Sequence, residues 1–192
     1  MTSFVAMAWG ARGASAVNDL VQRIVANDVR MAELHVMASR KLDDDALKAL
    51  CTAFHANTEC KTLYASGHPV SAAGAATIAD MLLVNRSLRN LCIGDTQLGD
   101  SVMQHLGRGL GERCCLHYLD MENKGLTAQG VIELFNHLKH NTELRKLVLS
   151  KNKLGADGWS ALAGAELKLT HLDLQACDLP GDGLGAFLNG TC

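Results

Sequence analysis

Apolar residues along this chain recur in short groups of the form L-x-x-L-x-L, and the groups return at a nearly fixed interval. Residues 88–93 (LRNLCI), 116–121 (LHYLDM) and 144–149 (LRKLVL) begin 28 residues apart. Weaker copies occupy residues 31–36, 60–65 and 169–174, and residues 2–7 form a seventh, degenerate start. Each group alternates apolar and polar positions, which predicts a short strand whose fourth and sixth residues point inward. Self-similarity at a fixed interval of this size is typical of a solenoid.

A second apolar pattern follows the predicted strands, with pairs of apolar residues spaced four apart. The pairs are Leu20 and Ile24, Leu50 and Phe54, Ile78 and Leu82, Leu106 and Leu110, and Leu134 and Leu138, while Leu162 and Phe187 begin the same pattern in the last two copies. Residues four apart lie on one face of a helix, so each strand is predicted to lead into a helix. Polar side chains suited to helix N-caps precede four of these helices, at Asp43, Ser71, Asp100 and Thr127.

The predicted unit is therefore a strand, a turn, a helix and a return segment, and one such unit cannot bury its apolar face alone. Neighbouring strands stack at about 4.8 Å, whereas neighbouring helices need roughly 10 Å, and this difference bends the stack. We expect an α/β fold: a curved solenoid with a parallel strand sheet on the concave face and helices on the convex face.

The pattern L-x-x-L-x-L-x-x-(N/C)-x-L followed by a helix resembles the leucine-rich repeat. The interval near 28 residues and the long helix are similar to the ribonuclease-inhibitor-like subclass, which also occurs in Ran GTPase-activating proteins and in the sensor ends of nucleotide-binding immune receptors. The resemblance implies that residues 1–192 form a single leucine-rich-repeat domain of about six to seven repeats, incomplete at both ends.

The ninth position of the pattern departs from the family in most copies. Asn152 and Cys177 match it, and the other copies carry Ser39, His68, Thr96 and Lys124. The resemblance implies that this residue links neighbouring turns by hydrogen bonds. Lys124 cannot accept a hydrogen bond through its side chain. We therefore expect irregular turns there and a lower stability than that of a consensus array.

The composition excludes two classes of partner. Apolar residues make up 48% of the chain and charged residues 20%, and no stretch approaches the roughly 20 apolar residues of a transmembrane helix. Acidic and basic residues are interleaved, with a net charge of −2 and only 4% aromatics, which disfavours a nucleic-acid surface. We expect a cytoplasmic protein that binds neither membrane nor nucleic acid. Residues 1–16 are poor in acids, so a targeting segment stays an alternative to an incomplete first strand at 4–8.

No pattern in the chain predicts catalysis, a metal or another cofactor. The seven cysteines are odd in number and lack a C-x-x-C motif, so we interpret them as reduced thiols, several of them in the core. His137 and His140 are three apart on a predicted helix but have no third ligand near them in sequence. The glycines at 107, 109 and 111 superficially suggest a phosphate loop, but they lie inside or at the end of a predicted helix and indicate a frayed helix end.

Residues at repeat positions three, five and seven point away from the core and are predicted to line the concave face. Both tyrosines of the chain fall there, and small residues in the third copy (Asn90, Cys92 and Gly94) predict a shallow notch between them. An acidic centre lies beside basic residues, which suits a partner segment that carries a basic residue. The candidate partner-binding residues are Tyr64, Arg89, Asp95, Tyr118, Asp120, Glu122, Arg145, Lys146, His171 and Asp173.

The leading hypothesis is a non-enzymatic protein–protein interaction module that binds a protein partner through this concave face. Because solenoids need polar end caps and neither end of the pattern shows one, a scaffold that assembles through its terminal repeats is the first alternative. The second alternative follows from the resemblance alone: a GTPase-activating regulator similar to the Ran-activating proteins, acting through loops at residues 95–97 or 122–124.

Overall fold

The computed structural model describes residues 17–179, in which strands and helices alternate along the chain. The strands are β1 Glu33–His35, β2 Thr62–Ser66, β3 Asn90–Gly94, β4 Tyr118–Asp120, β5 Lys146–Val148 and β6 His171–Asp173. The helices are α1 Asn18–Val25, α2 Asp44–Phe54, α3 Ala72–Val84, α4 Gly99–Leu106, α5 Ala128–Leu138 and α6 Gly155–Ala163. The strand predicted near residues 2–8, any targeting segment at 1–16 and the helical position of Phe187 lie outside the described residues.

The strands form one parallel sheet in the order β1-β2-β3-β4-β5-β6. The sequence repeat sets its register, because each strand pairs its fourth repeat position with the fourth position of its neighbour. Leu91, for example, pairs with Leu63 on one side and Leu119 on the other. Each helix from α1 to α6 packs against the next helix along the chain. The α/β solenoid predicted from the repeat, with strands on its inner face and helices on its outer face, is confirmed.

The core lies between the sheet and the helices, where the two apolar patterns meet. Leu91 and Ile93, at positions four and six, are fully buried, and so are Ile78 and Leu134 of the helix stripe. In the last described repeat, Leu172 and the apolar residues around it are only partly buried. A central repeat is covered on both sides, which is how a solenoid builds a continuous core.

Three of the four predicted helix caps are confirmed, and the fourth is wrong. The side chains of Asp43, Ser71 and Thr127 accept hydrogen bonds from backbone amides of α2, α3 and α5. Helix α4 begins before Asp100, at Gly99, where the backbone is left-handed (φ 69°). The Asp100 carboxylate instead accepts from the amide (2.8 Å) and hydroxyl (2.6 Å) of Thr127. It therefore links the start of α4 to the start of α5.

The expectation of irregular turns at Lys124 is wrong. The eighth repeat position has a left-handed backbone in four repeats, at Gly67, Asn123, Lys151 and Ala176, with φ between 50° and 86°. The turn before Lys124 therefore has the backbone seen in repeats two, five and six. Side chains at the ninth position still link the turns: the side-chain oxygen of Asn152 accepts from the amides of Lys124 and Leu126, whereas the ammonium of Lys124 donates to the carbonyl of Gly94 (2.8 Å).

A second ladder, on the return segments, depends on asparagines. The side-chain amides of Asn57, Asn85 and Asn141 each donate to a carbonyl of the preceding repeat, at 2.6–2.9 Å. Their side-chain oxygens accept from backbone amides two or three residues further along. These bonds satisfy buried polar groups where the chain turns from helix to strand.

The glycines after α4 allow three helices to approach one another. Residues Gly107–Gly109 form a short 3₁₀ turn at the end of α4, where the sequence predicts an irregular helix end. A Cβ atom on Gly107 would lie 2.0 Å from the ring of His137, and one on Gly109 would lie 2.6 Å from the Cα of Ala79. The glycines therefore serve packing between repeats.

Candidate interaction site on the concave face

A polar recess of about 420 Å³ opens at the carboxyl ends of β2, β3 and β4. We call it the acidic recess; its lining residues are Ser66, Gly67, Cys92, Asp95, Thr96, Asp120, Glu122, Asn123 and Lys124. Neither Tyr64 nor Tyr118 lines it, whereas Cys92, one of the small residues predicted to form a notch between the tyrosines, does. The small side chains of Ser66 and Cys92 leave this space open.

Three carboxylates surround the recess, and the fold fixes each of them. Asp95 accepts a hydrogen bond from the amide of Gln97 (2.9 Å), and Asp120 accepts one from the amide of Glu122 (2.9 Å). The side chain of Glu122 forms an ion pair with Lys151 (2.6 Å). The aspartates therefore shape the turns that follow β3 and β4, and all three carboxylates are partly exposed.

The ammonium group of Lys124 lies at the wall of the acidic recess. Lys124 is 3% exposed and donates to the hydroxyl of Ser66 (2.9 Å) as well as to the carbonyl of Gly94 (2.8 Å). It crosses beneath the turn of repeat three to reach repeat two. The residues that line the recess carry three carboxylates and one ammonium, that of Lys124, so the lining has an excess of negative charge; Lys151 and Lys146 lie outside it.

Tyr118 connects the recess to the open strand surface. Its hydroxyl donates to Asp120 (3.2 Å), and the ammonium of Lys146 lies 5.3 Å from the centroid of its ring. Burial, together with the negative charge of Asp120, raises the pKa of Tyr118 above its usual value. The phenol is therefore protonated at neutral pH and remains a hydrogen-bond donor.

The environment of the Cys92 thiol favours its protonated, unreactive form. Its side chain lies on the wall of the recess and is almost buried. Burial raises its pKa, and the neighbouring Asp120 carboxylate raises it further. A thiol that stays protonated is a poor nucleophile and a poor metal ligand.

The ten predicted residues occupy four separate places on the sheet. Asp95, Asp120 and Glu122 line the acidic recess, with Tyr118 and Lys146 next to it. The side chains of Arg89 and Arg145 lie at the opposite, amino-terminal edge of the strands, where both donate to backbone carbonyls. Tyr64 lies on β2, where its ring packs at 4.7 Å on His35. His171 and Asp173 are exposed on β6.

The remaining chemistry-bearing residues are buried or dispersed. The six cysteines of the described range are free thiols, five of them buried, and burial raises the pKa of Cys51 to about 12 and that of Cys114 to about 11; Cys192 lies outside that range. Within residues 17–179, no group of three or more His, Cys, Asp or Glu side chains is arranged to hold a metal ion. No helix in the same range has the length and apolar character that crossing a membrane requires.

Comparison with known proteins agrees with this repeat architecture. A family model described as "Leucine Rich repeat" matches residues 140–163. Ribonuclease inhibitor from Mus musculus is 29% identical over 160 residues, which cover 80% of this chain and 35% of that protein. NACHT, LRR and PYD domains-containing protein 3 from Rattus norvegicus is 30% identical over 165 residues, which cover 83% of this chain and 16% of that protein. The chain is a leucine-rich repeat protein of the ribonuclease-inhibitor-like type.

Solved structures show the same fold for this leucine-rich repeat protein. Leiomodin-1 actin-binding site 2 aligns with a TM-score of 0.54 at 18% identity, covering 91% of this chain and 86% of that one. The tropomodulin C-terminal domain of Caenorhabditis elegans aligns with a TM-score of 0.50 at 12% identity, covering 91% and 90%. The chain spans about a third of the length of the mouse ribonuclease inhibitor and about a sixth of that of the rat protein.

Sequence reasoning did not predict four lining residues of the acidic recess as partner-binding residues. Gly67, Thr96, Asn123 and Lys124 line it, yet they stand at the eighth and ninth repeat positions, which the pattern assigns to turns. For Lys124 a signal was present, because a lysine stands where the leucine-rich repeat pattern places Asn or Cys. A charged residue at a structural position of a repeat indicates that its charge has a local partner.

Proposed function

We propose that this leucine-rich repeat protein is a non-enzymatic interaction module that binds a basic segment of a protein partner at the acidic recess. The observation that carries the proposal is the meeting of Asp95, Asp120 and Glu122 around one open space. An excess of carboxylates in a concave site attracts a lysine or arginine side chain and speeds the encounter with it.

The strand surface beside the recess supports a protein as the partner. Tyr118 and Tyr64 are half-buried on this face, and tyrosine brings a rigid apolar ring with a polar tip to interfaces. The name of the mouse relative, ribonuclease inhibitor, describes a protein that acts on another protein. Binding of a protein partner at the acidic recess would need no chemical reaction there.

Chemistry at the recess supports the non-enzymatic part of the proposal. The Cys92 thiol stays protonated because its pKa is raised, and Asp95 and Asp120 each use an oxygen to hold a turn.

The proposal extends to the whole of residues 1–192 as one repeat domain, since the apolar pattern continues beyond the described range. Five of the six described cysteines are buried, as core thiols are, and this supports the proposal of a reducing, cytoplasmic location.

Binding of a charged probe peptide tests the proposal directly. The probe is a fluorescein-labelled dodecapeptide of alternating lysine and serine, with a glutamine–serine peptide as the neutral comparison. We expect the variant Asp95→Asn/Asp120→Asn/Glu122→Gln to bind the lysine peptide about tenfold more weakly than the unmodified protein in fluorescence anisotropy. Asparagine keeps the acceptor oxygen of each turn, so this variant is expected to fold.

A charge-matched control separates the recess from the overall charge of the protein. Asp45→Asn/Glu112→Gln/Glu166→Gln removes the same number of carboxylates from exposed positions away from the recess, and we expect an affinity within about twofold of the unmodified protein. Equal affinity of the recess variant and the control would refute the acidic recess as the binding site.

A scaffold that assembles through its terminal repeats is the second candidate. It is supported by an apolar recess of about 240 Å³ at the last described repeat, lined by Leu162, Ala165, Leu167, Leu169 and Leu172 among others. This function predicts association that increases with protein concentration in sedimentation velocity, and a monomer at all concentrations would contradict it. The GTPase-activating alternative rests on the resemblance alone.

A further inference from the structure

A row of basic residues runs along the amino-terminal edge of the sheet, opposite the acidic recess. The second position of four consecutive repeats carries Lys61, Arg89, His117 and Arg145. A backbone ladder holds these positions in line: the amide of Arg89 donates to the carbonyl of Lys61, that of His117 to Arg89, and that of Arg145 to His117, at 2.7–2.9 Å. The row therefore has the spacing of neighbouring strands, about 4.8 Å.

Most of the charge in this row is not neutralised by carboxylates. Lys61, Arg89 and Arg145 form no ion pair with an acidic side chain in the described part of the chain. His117 alone approaches one, Glu143, at 3.9 Å. Each arginine donates through Nη1 to main-chain carbonyls, including that of Cys115 for Arg89. These bonds hold the guanidinium in place and leave its other N–H groups for a ligand.

A recess of about 360 Å³ adjoins the row between the return segments of repeats one and two. It is lined by three basic residues, His55, Lys61 and Arg86, and by small and polar residues, with no carboxylate among them. Arg86 is fixed by bonds to the carbonyls of Arg113 (2.7 Å) and Leu83 (3.0 Å). A concave space lined only by cations and neutral groups suits an anionic side chain.

The two edges of the sheet therefore carry opposite charge. The acidic recess begins about five residues further along each strand, which corresponds to roughly 16 Å in an extended chain. A ligand on the basic row must be narrow in the direction of the strands, because an anion that extended along them would meet the repelling carboxylates of the other edge.

We propose that the basic row, together with the recess beside Lys61 and Arg86, binds an extended acidic segment of a protein. The segment lies across the repeats, its carboxylates facing Lys61, Arg89 and Arg145 in turn. An acidic peptide fits better than a nucleic acid, since no tyrosine, phenylalanine or tryptophan lines the recess to stack on a base. This second surface is independent of the acidic recess and has the opposite ligand preference.

Fluorescence anisotropy with a dodecapeptide of alternating glutamate and serine tests this surface at low ionic strength. We expect tighter binding than that of the glutamine–serine peptide, and an affinity about tenfold weaker for Arg89→Gln/Arg145→Gln. The charge-conserving variant Arg89→Lys/Arg145→Lys is expected to stay within about threefold of the unmodified protein. The control Lys48→Gln/Lys139→Gln removes two charges from exposed positions on the outer helices and should leave the affinity unchanged.

Three results would overturn the proposal. The first is that the acidic peptide binds no more tightly than the neutral one. The second is that Arg89→Gln/Arg145→Gln binds the acidic peptide as tightly as the unmodified protein does. The third is that an oligothymidylate of equal charge binds more tightly than the acidic peptide and is equally sensitive to the variants. If the arginine variant does not fold by circular dichroism, Lys61→Gln/His117→Gln takes its place, and it too must weaken binding. None of these results bears on the acidic recess, which the lysine–serine peptide tests separately.

Discussion

The ammonium group of Lys124 illustrates how a side chain that breaks a sequence pattern can still support the fold. It occupies the ninth repeat position, is 3% exposed and donates to Gly94 and Ser66 of two preceding repeats. His68, Asn152 and Cys177 also donate to carbonyls of the preceding repeat from this position, at 2.7–3.1 Å. Asn152 accepts from that repeat as well, but the bond shared by all four side chains is a donated one, which lysine can provide.

Replacing Lys124 with methionine tests this role. Lys124→Met shortens the side chain by one atom, keeps most of its apolar bulk and removes the donor shared by Ser66 and Gly94. The carbonyl of Gly94 still accepts from the amide of Gly67 (3.0 Å), so we expect a loss of about 1 kcal/mol in the free energy of unfolding. Urea denaturation measures it. Lys153→Met, at an exposed neighbouring position, is the control. An equal loss in both variants would contradict the role of Lys124.

The protonation of Tyr118 provides a second test at the residue scale. In a Tyr64→Phe background, Tyr118 is the chain's only tyrosine, and its phenolate absorbance reports its pKa. Burial and the Asp120 charge raise that pKa, so we expect titration well above the usual value of about 10. Because the raised pKa favours the protonated phenol, the stability it contributes is complete below pH about 10 and is lost as the pH rises through the folded-state pKa.

Substituting Asp120 separates the two causes. Asp120→Asn removes the charge but not the burial, so the pKa of Tyr118 is expected to fall part of the way toward its usual value. Titration of Tyr118 near pH 10 in the Tyr64→Phe protein with Asp120 intact would contradict a buried Tyr118 beside a carboxylate.

At the scale of elements, the sequence predicts the strands and helices well because both depend on a local repeat. The six described strands and the helix stripe follow from leucine spacing that stacking then buries. Asp100 could not be assigned from the sequence, because its partner Thr127 lies in the next repeat. The same limit applies to Gly107, because the side chain that requires a glycine there, the ring of His137, lies on another helix.

The contact between Gly107 and His137 gives a prediction for helix packing. Gly107→Ala places a methyl group into the His137 ring, and we expect a loss of about 2 kcal/mol in unfolding free energy. Combining it with His137→Ala should cost less than the sum of the two single substitutions, because the clash is relieved. Thermal or urea unfolding of the three variants measures this coupling; strict additivity would contradict the contact.

Over the whole molecule, parallel stacking divides charge between the two edges of one sheet. The sequence pattern predicts which residues face away from the core, but it treats Arg89 and Asp120 as members of one surface. The distinction arises because position two lies at the amino-terminal edge of each strand and positions five to eight lie at the carboxyl edge. The small side chains of Ser66 and Cys92 then leave the acidic recess open at that edge, next to Tyr118.

Affinity capture from cell lysate tests the central claim that the acidic recess binds a protein. The immobilised 192-residue chain is compared with Asp95→Asn/Asp120→Asn/Glu122→Gln and with the charge-matched Asp45→Asn/Glu112→Gln/Glu166→Gln, and bound proteins are quantified by mass spectrometry. We predict a protein with a basic segment that is retained by the unmodified chain and the control and lost from the recess variant. The same set of bound proteins on all three chains would contradict binding at the acidic recess.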